Sequence, residues 1–198
     1  MEKVLKSVVI ILFLSFISIT SFAIADEVTD VINEALQNYK KGDYASAVNN
    51  LDYAAQLIRQ KKSESLEVIL PKPLSGWQAN DSKSQAAGSS MFGGGVSIEK
   101  EYTKDSSTIN IKIVTDSPML QGVLMMFSNP FMVSNEGKLE RISGQKAIVK
   151  YDSSNKEGEI NIVVANRYLV TITGNDVTKD DLTNYAKTID YNKLTSMQ

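Results

Sequence analysis

The chain has 198 residues, of which 21 are Lys or Arg and 23 are Asp or Glu, and it contains neither histidine nor cysteine. A net charge of −2 argues against nucleic acid as a partner, because phosphate-backbone affinity comes from clustered cations. Without His or Cys the chain lacks the commonest general base near neutral pH, the commonest transition-metal ligand, thiol chemistry and disulfide staples.

Residues 1–25 read as an export signal. Glu2, Lys3 and Lys6 make a short charged start, Ser7 to Ile19 is almost wholly apolar, and Ala23-Ile24-Ala25 has the small-x-small spacing that signal peptidase accepts. Ser7 to Ala25 is 19 residues, within the range of roughly 17 to 25 that a spanning helix needs. The polar Ser15, Ser18, Thr20 and Ser21 and the Ala-x-Ala site favour cleavage over a retained anchor. The expected mature form begins at Asp26, is periplasmic or secreted, and keeps no stable membrane anchor. Losing Glu2, Lys3 and Lys6 takes its net charge to −3.

From Asp26 to about Leu66 the period is helical, with Val28, Val31, Ile32, Ala35, Leu36 and Tyr39 first. Lys40-Lys41-Gly42 supplies a cationic helix end and a glycine stop, and Asp43 caps a second helix. That helix carries Tyr44, Ala47, Val48, Leu51, Ala54, Ala55 and Ile58 on one face. Residues 26–69 are therefore expected to form an antiparallel helical hairpin. Ala35, Tyr39, Gly42-Asp43-Tyr44, Ala47, Leu51 and Ala54 resemble a single tetratricopeptide repeat. With no second copy, the resemblance does not extend to a groove of stacked repeats, which needs about three.

Leu70-Pro71-Lys72-Pro73-Leu74 breaks any helix, and a second domain, 70–198, is expected to start there. The period then changes to two. Val96, Ile98, Tyr102 and Ile109, Ile111, Ile113 alternate with polar residues around a turn at Lys104 to Ser107, which predicts a hairpin over 96–115. Ser117-Pro118 opens a helix that runs through Phe127 and stops at Asn129-Pro130. Strands are expected at 141–143, 145–151, 159–165 and 168–173, and a closing helix at about 178–189 with Asp180 and Asp181 at its positive end. The fold class is α+β: a helical hairpin followed by an antiparallel sheet with two packed helices.

The order of elements over residues 71–194, with Gly76-Trp77 at its entry, resembles the Mog1/PsbP-like family of secreted and lumenal domains. The whole chain resembles a group of exported bacterial proteins that share a helical hairpin, a Leu-Pro to Gly-Trp entry, a Met-Phe-Gly-Gly-Gly loop and a Ser-Pro-x-x-Gln helix. These are Leu70-Pro71 through Trp77, Met91 to Gly95, and Ser117-Pro118 through Gln121 here. Both resemblances imply an architecture and neither brings an activity.

The glycine-rich stretch at 84–97, SQAAGSSMFGGGVS, does not fit a phosphate loop. A Walker loop needs Lys after its last glycine and a following helix, and a dinucleotide fingerprint also opens a helix, whereas Val96-Ser97-Ile98 begins a strand. Two readings stay open: a flexible approach to an edge strand, or a lid that carries Met91 and Phe92 on the hinge Gly93, Gly94 and Gly95. Met91, Met119, Met125, Met126 and Met132 cluster in this loop and the 118–132 region. Deformable methionine suits an irregular core and an adaptable binding surface alike, and the sequence leaves both open.

No catalytic residue is assigned. Asp152, Glu157 and Glu159 surround a Ser/Asn/Gly-rich turn that misses the EF-hand pattern, with Gly158 seventh from Asp152 and Val163 where the twelfth-position Glu belongs. No spacing rule pairs Ser117 with Lys112. Copper(I) on methionine thioethers lacks a supporting His or Cys, so no metal or cofactor is expected. The sequence therefore points to a non-enzymatic interaction module of the cell envelope. Its expected surface is Met91, Phe92, Gly93, Gly94, Gly95, Met119, Met125 and Met126, open to a protein partner or a second copy. The alternative is a carrier of a small apolar ligand beneath the Met/Phe/Gly-rich loop.

Overall fold

The computed structural model describes residues 26–86, 95–128 and 137–197. Two helices come first, α1 (Glu27–Lys40) and α2 (Tyr44–Glu67). The strands β1 (Gln78–Ala79), β2 (Lys83–Ala86), β3 (Val96–Lys104) and β4 (Ser107–Thr115) precede α3 (Met119–Ser128). Then follow β5 (Lys138–Ile142), β6 (Gln145–Asp152), β7 (Glu157–Val164), β8 (Tyr168–Asn175), α4 (Lys179–Thr188) and α5 (Tyr191–Ser196). The fold is α+β, a helical pair followed by an antiparallel sheet with further helices.

The helical hairpin turns at Gly42, whose φ of +81° suits the glycine there, and Asp43 accepts a hydrogen bond from the Ser46 amide at 3.1 Å. Its base is tied by Lys61 to Asp26 at 2.8 Å and by the Tyr53 hydroxyl to Glu27 at 2.9 Å. Lys61 holds the Asp26 carboxyl below its ordinary range, chiefly through that hydrogen bond. One expectation is corrected. Tyr44, Val48, Leu51 and Ile58 do not share the buried face of α2 with Ala47 and Ala54; they are exposed. The helices meet through Val28, Ala35, Ala47 and Ala54, because small residues allow close approach and leave the large ones on the flank.

The sheet runs β1-β3-β4-β8-β7-β6-β5, with β2 sharing the outer edge of β3 with β1, and every described pair is antiparallel. The β3–β4 hairpin therefore leads through α3 to the far edge, and a four-strand meander brings β8 back against β4. Period-two patterning puts Ile98 and Tyr102 of β3, Ile109, Ile111 and Ile113 of β4, Ile160 and Ile162 of β7, and Val170 and Ile172 of β8 on one face. That inner face is covered by Leu182, Tyr185 and Ala186 of α4 and by Tyr191 and Leu194 of α5. The end of the helical hairpin joins the same core through Leu66, Ile69 and Leu70. Thr178 and Asp181 close a reciprocal capping box at the start of α4.

Three elements escaped the sequence reading. β1 and β2 are two and four residues long and α5 is six, all too short for a periodic signal. β1 and β2 exist because the unpaired edge of β3 can hydrogen-bond whatever chain passes it, a matter of tertiary position. Among the described residues no helix is long and apolar enough to cross a membrane.

Candidate binding surface on the outer face of the sheet

α3 does not pack into the core. It lies against the outer face, over β6, β7 and β8, and of its described side chains Leu120 alone is buried. The sequence Met119 to Ser128 contains no charged residue. Met125 is 68% exposed, and Val123, Leu124, Met126 and Phe127 are half-buried. The question that methionine content left open is thus decided by position: the helix is a surface helix on a second, smaller apolar patch.

Beneath it lies a hollow of about 340 Å³. Val123, Met126 and Phe127 form its roof, and Ile148 and Leu169 the apolar part of its floor, with Lys150, Glu159, Asn161 and Thr171 at the polar end. A second hollow on the other flank, about 530 Å³, runs from Leu124, Phe127 and Ser128 to Arg141, Lys146 and Val163. The register explains the floor. Thr171 stands opposite Asn161, Asn161 opposite Ile148, and Ile148 opposite Leu139, so one row of the outer face turns from polar to apolar as it passes under α3.

Ile148, Val163 and Leu169 were missed by the sequence reading, yet they left a signal. Ala147-Ile148-Val149, Ile162-Val163-Val164 and Tyr168-Leu169-Val170 are three-residue apolar runs in strands that otherwise alternate. Strands buried on both faces lose alternation in this way. The three runs mark the strands that α3 covers.

The rest of the outer face is a polar hollow of about 390 Å³, lined by Glu99, Glu101, Thr108, Asn110, Lys112, Thr171, Thr173 and Asn175. Within it the Asn110 side-chain amide donates to Glu99 at 2.6 Å and Lys112 lies 4.0 Å from Glu99, while the Thr171 hydroxyl donates at 2.8 Å to Asn161 of the neighbouring hollow. Contacts of this kind hold these side chains in place on the open sheet face.

The remaining expected residues fall as follows. Met91, Phe92, Gly93 and Gly94 lie outside the described residues. Gly95 is buried, and a Cβ there would come within 2.9 Å of the Ser117 side chain and 3.0 Å of the Thr115 carbonyl oxygen. Its role is close packing of β3 on the β4–α3 turn. Met119 opens α3. Ser117 is buried at that turn, whereas Lys112 sits on the outer face beside Glu99. The Asp152 carboxylate accepts the Ser154 amide at 2.8 Å and the Asn155 amide at 3.3 Å, and these hydrogen bonds hold its pKa below the ordinary carboxylate value. The turn thus satisfies its own acid. Among the described residues no cluster of three or more carboxylates could hold a metal ion.

No protein-family model, no curated protein and no solved structure matches this chain.

Proposed function

We propose that the chain is a non-enzymatic interaction module of the bacterial cell envelope, exported by residues 1–25, that docks a protein partner through α3. The observation that supports this most is the placement of an uncharged, methionine-bearing helix outside the core, with Met125 largely exposed and hollows along both flanks. Such a surface can reshape itself around a partner, because methionine has three flexible torsions and a polarisable sulfur. Export is tested by sequencing the N-terminus of the mature protein. Asp26 is the expected first residue, and an intact Met1 in the membrane fraction defeats the proposal.

Docking is tested in intact cells with a photoreactive residue at Met125, compared with one at the exposed Lys104 on the β3–β4 turn. Met125 is expected to capture a defined protein that Lys104 does not. Equal capture at both positions overturns the docking role of α3.

A second reading, carriage of a small apolar ligand with a polar end, is favoured by the 340 Å³ hollow, whose size falls in the range of small-molecule sites. A native mass that exceeds the chain by a small molecule, and loses that excess in Met126→Lys, supports it. A ligand-free mass together with partner capture at Met125 decides for docking.

A further inference from the structure

A seam of large apolar side chains runs along α2 away from its contact with α1. Tyr44, Val48, Leu51, Ala55 and Ile58 step by four, three, four and three residues, the spacing of a helix that packs lengthwise against another. The four large ones are 49% to 64% exposed. α2 meets α1 through a different strip, Ala47 and Ala54. α1 is built alike: Val28 and Ala35 are buried, while Ile32, Leu36 and Tyr39, again four and three apart, are 41% to 63% exposed. The rings of Tyr39 and Tyr44 lie 5.7 Å apart, so the two seams meet at the tip of the hairpin and make one face.

That face sets seven large apolar side chains, 41% to 64% exposed, side by side, and a contiguous exposed apolar face of this kind marks a protein–protein contact. We propose that it is where two copies of the chain meet, hairpin on hairpin, as a four-helix bundle about a two-fold axis. Two parallel seams on one flat hairpin are complementary to themselves after a half-turn, which an isologous contact requires. No charged residue stands within either seam, so the middle of the contact would bury no charge. The surface is distinct from α3, and the inference stands whether or not α3 docks a partner.

The test is the mass in solution of protein produced from the complete sequence and purified without denaturant, read by light scattering from low to high micromolar concentration. Twice the mass of one chain is expected. Leu36→Glu with Leu51→Glu should raise the dissociation constant roughly 100-fold or more, since each places a charge in the middle of the seam. A single-chain mass at every concentration overturns the proposal, as does a dimer that survives the double substitution with its circular dichroism unchanged. A dimer lost in Met125→Asp but kept in the hairpin variant overturns it too, and assigns self-association to α3. Should the double variant fail to fold, single cysteines at Val48 or Leu51, clean probes in a cysteine-free chain, are joined with a short bismaleimide. Linked dimers well above those from Lys104→Cys support the bundle, and a yield no greater than that control rejects it.

Discussion

Gly174→Val is expected to lower folding stability by about 3 kcal/mol, measured as a fall in the denaturant midpoint, the cost of forcing extra carbon into a full core. Gly174 of β8 stands directly opposite Gly158 of β7. Together they open a slot in the inner face into which Leu182 of α4 descends. A Cβ on Gly174 would lie 2.6 Å from Val177 Cγ2 and 2.9 Å from Leu182 Cδ2. One on Gly158 would lie 2.6 Å from Leu182 Cδ1 and 2.9 Å from the Lys150 carbonyl oxygen. Relief is blocked from the other side. α4 is anchored at its start by the Thr178–Asp181 box and by the Val177 amide, which donates to the Lys156 carbonyl at 2.9 Å. Leu182→Ala is expected to cost about 2–5 kcal/mol on its own. Combined with Gly174→Ala it should cost less than the sum, because the new methyl occupies vacated space. A Gly174→Val protein with the wild-type midpoint would show that α4 does not rest in this slot.

The second large effect is expected at Tyr102. Tyr102→Ala should cost about 4 kcal/mol and Tyr102→Phe about 1–2 kcal/mol. The ring is fully buried, 4.6 Å from that of Tyr185, which meets Trp77 edge-on at 5.3 Å. The hydroxyl donates to the Pro71 carbonyl at 2.7 Å, and the Leu74 amide donates to the Tyr185 hydroxyl at 3.4 Å. The two phenols thus clasp the proline-bearing segment that joins the hairpin to the sheet, satisfying backbone groups that have no ladder partner. Burial raises the pKa of Tyr102, pushes Tyr185 up to about 12 and raises Tyr191. A raised folded-state pKa means stability that is intact below the ordinary tyrosine value near 10 and falls as pH rises past it, since the unfolded chain ionises first. Denaturation midpoints should hold from pH 7 to 9 and fall between 10 and 12, less steeply in Tyr102→Phe. A flat profile over that range would mean that these phenols are wet.

Sequence by itself determines the elements whose signal is repeated along the chain. Alternating Ile and Val fix β3, β4, β7 and β8, and Gly42-Asp43, Ser117-Pro118 and Thr178 mark helix boundaries, because each is a local backbone preference that distant contacts do not alter. The α+β class follows from their order. Tertiary structure alone decided three things. It placed α3 outside the core, since an apolar helix reads the same over either face of a sheet, and the apolar runs of β6, β7 and β8 signal a second covered face without naming the element that covers it. It split the apolar face of α2 into an alanine seam buried on α1 and an exposed seam of larger residues, because the distance between two helices depends on both partners. It paired Gly158 with Gly174, because cross-strand neighbours 16 positions apart are set by register, which neither residue encodes alone.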